Sequence, residues 1–231
     1  MKQISFLREF LKKNIWVISI LFLLCIVNTK IVGDTFYIDS NNSIKSTREG
    51  YGDVPLHLSQ ITKFAFGQND LSEPIYYGAK LQYPFLFNYI RGIILKITGL
   101  WSLSIVWPLY FLVVTNIILV YLIYFELSRS KLKSVLASIL FFFVSGFHWY
   151  YQYIRGLGEN SFYLDLKFPL QNISFGPTMV SIVHQHTFHF GLFLFLLAVY
   201  LIKKYSLKNI WINLITVLIV AILPIGHIHS F

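Results

Sequence analysis

The chain has 231 residues; 56% are hydrophobic and 18% aromatic, and only 13% are charged. A soluble domain carries roughly 25% charged residues, and here long stretches have none while the basic residues gather in short clusters, which excludes an ordinary soluble domain. The net charge of +9 comes with no basic stripe interleaved with polar, exposed aromatics, so nucleic acid is not an expected partner, and the single cysteine, Cys25, excludes an internal disulfide framework.

Residues Met1 to Lys13 carry Lys2, Arg8, Lys12 and Lys13 against one acid, Glu9. The apolar run from Asn14 to about Gly33 follows. A signal peptide also has a basic start and an apolar middle, but no small-x-small cleavage site follows, so this run reads as an uncleaved first span over 14–33. Asp34 to about Leu100 is polar and mixed, with turn residues at Asn41-Asn42-Ser43, Glu49-Gly50-Tyr51-Gly52 and Gly67-Gln68-Asn69-Asp70. Inside it, Val54 to Phe66 places Leu56, Gln60, Ile61 and Phe64 at helical spacing. Pro84 to Thr98 puts Leu86, Ile90, Ile93, Ile94 and Ile97 on one side. Both segments are expected as amphipathic helices lying at the membrane surface.

The second span is expected over 101–127, followed by a short basic loop with Arg129, Lys131 and Lys133. A third span covers 134–151, and a polar stretch over 152–183 holds Arg155, Glu159, Asp165 and Lys167. A fourth covers 184–202, closed by Lys203, Lys204 and Lys208, and a fifth covers 209–228. A span needs ~20 mostly apolar residues. The expected fold is therefore all-α: a polytopic membrane bundle of about five helices with a large first extracytoplasmic loop, treated as one domain over 1–231.

Basic clusters orient such a chain, because Lys and Arg favour cytoplasmic loops. Placing the N-terminus, the Arg129 loop and the Lys203 loop inside collects ten of the nineteen Lys and Arg in three short segments. That predicts a multi-pass protein of the cell membrane with a cytoplasmic N-terminus. All seven histidines then fall at the outer boundary: His57 in the loop, His148 late in the third span, His184, His186 and His189 opening the fourth, and His227 and His229 ending the fifth.

Three readings of these histidines stand side by side. Histidine is an amphipathic residue that suits an interface. Ring N–H donors together with Arg91 or Arg155 also suit an anionic headgroup or phosphate. Clustered imidazoles suit a divalent transition metal, for which His184, His186 and His189 are the candidate ligands. His186 and His189 share a helical face, but no His-Glu-x-x-His pattern is present.

The most informative short stretch is Gly50-Tyr51-Gly52-Asp53-Val54-Pro55-Leu56-His57. Proline belongs in a first helical turn, so Asp53 sits where a helix starts. There it serves as an N-cap, or as a carboxylate kept ionised by the helix terminus and acting as general base, with His57 one turn on. The two roles are compatible, since a capping carboxylate has a second oxygen.

The order of these features resembles the GT-C class of integral membrane glycosyltransferases, in which a first span leads into a large outer loop with two surface helices and an acidic residue near its start. Gly52-Asp53-Val54-Pro55-Leu56-His57-Leu58 is similar to the Gly-Asp-x-x-x-His-Leu opening of that loop in prokaryotic GT-C-like proteins. Leu81-Gln82-Tyr83-Pro84-Phe85-Leu86 is similar to the Tyr-Pro segment that opens the second surface helix. Pro224-Ile225-Gly226-His227-Ile228-His229-Ser230-Phe231 resembles a Pro-x-x-His-x-His-Ser-Phe segment late in the fifth span.

The resemblance implies transfer of a sugar from a polyprenyl-phosphate donor at the outer face of the bilayer. Asp53 would deprotonate the acceptor, with His57 beside it. Tyr83, Arg91, Arg155, His186, His189, His227 and His229 would bind substrate or stabilise the departing phosphate. The class typically has eight or more spans, so the chain is expected to be the N-terminal part of such a protein, with a complementing C-terminal chain as partner. The rival readings are a non-catalytic membrane subunit and a transporter component. The latter calls for polar groups deep in spans, where Thr115, Asn116 and Asn213 are the main ones, and for broken helices, which Pro108 offers at one place.

Overall fold

The computed structural model describes residues 2–38, 44–46, 54–67, 71–75, 78–81, 84–143, 186–205 and 209–226. Helix α1 (Lys2–Thr35) runs directly into strand β1 (Phe36–Ile38), which pairs antiparallel with β2 (Ile44–Ser46). Helices α2 (Val54–Phe66) and α3 (Leu86–Thr98) follow. A π-helical turn (Ser102–Val106) leads into α4 (Trp107–Ser128). The remaining helices are α5 (Lys131–Phe143), α6 (His186–Tyr205) and α7 (Ile210–Gly226).

The molecule is helical, and among the described residues three stretches are long and apolar enough to cross a membrane: Lys12–Lys30, Ser102–Ser128 and Thr187–Tyr205. The apolar helix α7 has 17 residues, which at 1.5 Å per residue is ~26 Å, slightly less than the ~30 Å hydrocarbon thickness. The described part of α5 has 13. Its expected continuation through 144–151, like the polar stretch 152–183, lies outside the described residues. The paired strands amend the all-α expectation. Three-residue strands flanking Asn41-Asn42 are too short to show a period-two pattern.

Helix α4 is the axis of the bundle and packs against α1, α5 and α6. Its buried positions include Leu109, Val113, Ile117 and Val120, spaced at helical intervals along one side. They form a core with Leu24, Phe142, Leu192 and Leu196. On α1, Val17, Leu24 and Asn28 are buried at intervals of seven and four, while Ile15, Phe22, Leu23 and Ile26 point outward. An apolar exterior of this kind fits a lipid solvent. Two polar groups in the helices are satisfied locally, as lipid demands: Asn28 Nδ2 donates to Leu24 O at 2.7 Å, and Thr115 Oγ1 to Phe111 O at 2.7 Å.

Helix ends are set by their residues. Arg129 takes a left-handed conformation (φ 53°) to close α4, and its guanidinium pairs with Glu126 at 2.6 Å. Asn209 caps α7, its Oδ1 accepting from the N–H of Trp211 at 3.0 Å. Gly99, at φ 67°, ends α3, its N–H donating to Leu95 O at 2.8 Å, a left-handed stop that glycine tolerates without strain.

Helices α2 and α3 pack against each other. The pair sits where the π-helical turn begins α4. It also touches α6 and α7, with Phe87 of α3 stacked on Phe190 of α6 at 5.1 Å. Lys63 of α2 donates to Ser72 O and, at 2.6 Å, to Ser72 Oγ, tying the following loop back onto the pair.

Candidate functional site

The inner face of α2 carries His57, Gln60, Ile61, Phe64 and Ala65, and that of α3 carries Phe87, Asn88, Arg91, Gly92 and Leu95. Each set recurs at intervals of three and four, so both are single helical faces. The two axes come close at Gly92, where a Cβ would lie 2.6 Å from Phe64 Cβ and 3.0 Å from Ile61 O. Glycine is therefore the one residue the seam accepts at that point. The Phe64 ring meets Tyr89 edge-on at 5.2 Å.

The seam is polar at its centre. Asn88 Nδ2 bonds His57 Nδ1 at 2.9 Å and donates to Gln60 Oε1 at 2.6 Å, and all three residues are buried. Because an amide nitrogen only donates, this arrangement makes Nδ1 the acceptor and puts the ring proton on Nε2. Turning both amides over keeps both contacts with Nδ1 as donor, so the triad holds either tautomer of His57. Gln60 Nε2 and Asn88 Oδ1 have no hydrogen-bond partner among the described residues.

Arg91 lies one helical turn beyond Asn88 and is completely buried. Its Nε donates to Ser104 O at 3.2 Å and its Nη2 to Ile105 O at 2.9 Å, while Ser104 Oγ donates back to Arg91 O at 2.8 Å. The guanidinium also lies over the Phe87 ring, 4.6 Å from its centroid. The sequence reason for this contact is Pro108. In an α-helix Ser104 O would receive the N–H of residue 108, which proline lacks, and the proline ring crowds that same carbonyl. The turn widens to a π-helix over Ser102–Val106, and Arg91 Nε supplies a donor to the Ser104 carbonyl.

The expected site residues are distributed as follows. His57 and Arg91 are both in the α2–α3 seam. His189 is buried in α6, and its backbone carbonyl accepts from Asn116 Nδ2 of α4 at 3.2 Å. The residue after it, Phe190, stacks on Phe87, so His189 lies close to the same seam. Asp53, Tyr83, His148, Arg155, His184, His227 and His229 lie outside the described residues, as does the side chain of His186. Asp53 directly precedes the first residue of α2 in the sequence. Among the described residues, no three His, Cys, Asp or Glu side chains come together as a metal site requires.

Gln60 and Asn88 are members of this cluster that the sequence does not single out. A lone buried amide has no motif. The available signal is Asn88 one turn before Arg91, on the face of α3 opposite its isoleucines. No family model matches the chain, and neither a curated protein nor a solved structure matches it.

Proposed function

We propose that this protein is a GT-C-like membrane glycosyltransferase that takes a sugar from a polyprenyl-phosphate donor at the outer face of the bilayer. In this reading α5 and α7 also cross the membrane, giving five spans with a cytoplasmic N-terminus. The observation that carries it is the polar cluster His57–Asn88–Gln60 between α3 and α2, the helix that directly follows Asp53, seated where α4 begins. The basic turns at Arg129, Lys131 and Lys133 and at Lys203 and Lys204 lie at the other end of α4 and α6, as the rule for cytoplasmic loops requires.

In the reaction, the acceptor hydroxyl oxygen bonds to the anomeric carbon of the donor sugar. The bond from that carbon to the phosphate oxygen breaks, and polyprenyl phosphate leaves with the electron pair. Asp53 takes the hydroxyl proton, and His57, held by Asn88, lies one turn along the helix. Arg155, Tyr83 and the histidines at 186, 189, 227 and 229 are the groups proposed to meet the phosphate. Arg91 also donates to Ser104 O and Ile105 O, and so positions α3 against the head of α4. The mid-span polar groups Thr115 and Asn116 bond to carbonyls of Phe111 and His189, which favours this reading over a transport path.

The test is transfer from a polyprenyl-phosphate sugar by the full chain in vesicles. Asp53→Asn is expected to abolish transfer while the chain still folds. Transfer at the parent rate in that variant would remove Asp53 as the base, and no turnover of any polyprenyl-phosphate sugar by the parent would remove the reading.

A further inference from the structure

Helix α3 is inside out for a helix in water. Asn88 and Arg91 in its first two turns are fully buried, while Ile90, Ile93 and Ile97 are exposed by 37%, 38% and 78%; its exposed polar residues, Lys96 and Thr98, lie in the last turn. Isolated exposed apolar residues are ordinary, but a face of isoleucines opposite a buried arginine and asparagine is an informative inversion. Helix α2 has no such face: its outward positions are Pro55 and Thr62, with Phe66 alone at its end.

The contacts of α3 set it against the heads of the spans. Asn116 of α4 bonds the carbonyl of His189, and the next residue, Phe190, the fourth of the stretch Thr187–Tyr205, stacks on Phe87 in the first turn of α3. The last turn of α3 ends at Gly99, immediately before Ser102 begins the stretch Ser102–Ser128. The exposed apolar positions continue along the chain at Leu103, Trp107 and Phe111 of the span. Lys96 is exposed near the upper end of α3, where its stem reaches headgroups.

We propose that α3 lies with its isoleucine face in the acyl chains of the leaflet next to the loop, and that α2 is carried on its water side. Its partner is lipid hydrocarbon, met by the Ile90–Ile93–Ile97 face. Arg91 and Asn88 turn inward because the outer medium cannot solvate them. The π-helical turn gives Arg91 its acceptors within the protein. This inference stands apart from glycosyl transfer.

The test places a nitroxide at Ile93→Cys, Ile97→Cys or Thr62→Cys in the full chain, reconstituted in phosphatidylethanolamine–phosphatidylglycerol vesicles. Each label is read against the unsubstituted chain, whose one cysteine, Cys25, sets the background. Collisions with dissolved oxygen are expected to exceed those with a water-soluble nickel chelate several-fold at 93 and 97, and the order to reverse at 62. The inactive Asp53→Asn chain is expected to give the same pattern. A label at 97 as accessible to nickel as the label at 62 would put α3 in water. Labels at 93 and 97 shielded from both reagents would mean that protein covers this face. Either result overturns the proposal.

Discussion

Around α4 the buried side chains are Leu109, Val113, Ile117 and Val120, whereas between α2 and α3 they include His57, Gln60, Asn88 and Arg91. Apart from the bond from Asn116 to the His189 carbonyl, the bundle is held by many interchangeable apolar contacts, each worth little and none directional. The loop pair is held by a few directed bonds whose loss leaves polar atoms stranded. An apolar interface tolerates volume-conserving exchange. A polar one fails sharply when one member goes. The part of the molecule proposed to carry chemistry is the part with the stricter geometry.

The largest effect expected from breaking this contrast is at Arg91. Arg91→Ala removes donors from Ser104 O and Ile105 O, each worth ~1–3 kcal/mol when lost in a buried site. The α2–α3 pair should loosen by about 3 kcal/mol while the α4 bundle keeps its own melting transition. Limited proteolysis of the loop, followed beside thermal melting monitored by circular dichroism, separates the two. A single shared loss of both would show that the regions are one cooperative unit.

Two glycines sharpen the comparison at smaller magnitude. Gly92→Ala drives a methyl to 2.6 Å from Phe64 Cβ and is expected to cost about 2 kcal/mol as overpacking. Gly226→Ala meets only the Leu194 and Phe190 side chains, at 3.2 Å, which can shift. Its cost is expected below about 1 kcal/mol. Denaturation midpoints of the two variants check the order, and the reverse order would contradict the rigid seam.

A coupling of similarly small size tests the link between Pro108 and Arg91. Pro108→Ala restores an N–H for Ser104 O, so Arg91→Ala should cost about 1 kcal/mol less in that background. A double-mutant cycle reads this directly. Additive costs would mean that the proline does not create the need for the arginine.

What is legible in the sequence follows from how far each feature's cause extends along the chain. The apolar helices show in composition alone, because lipid-facing and core-facing residues are both hydrophobic. Pro55 and the spacing of Leu56, Gln60 and Ile61 mark a helix over 54–66, where α2 lies. The pairing of α2 with α3 is not legible, since His57 and Asn88 meet across 31 positions and nothing in either helix names the other. The isoleucines of α3 show a face but not whether it meets lipid or protein. Arg91 reads as an anion ligand because an arginine in a mostly apolar segment invites a charged partner. Among its acceptors are the carbonyls of Ser104 and Ile105, which sequence does not display, although Pro108 four residues past Ser104 is a sign that one carbonyl needs a donor.

The account depends most on which side of the membrane the α2–α3 pair faces, since a polyprenyl-phosphate donor at the outer face is of no use to a site in the cytosol. Lys80→Cys, in the loop beside α2, and Lys133→Cys, at the opposite end of α4, can each be exposed in intact cells to a maleimide that does not cross membranes. Labelling of position 80 before permeabilisation and of position 133 only after it is the expected result. Labelling of position 133 in intact cells, with position 80 protected, would contradict the account.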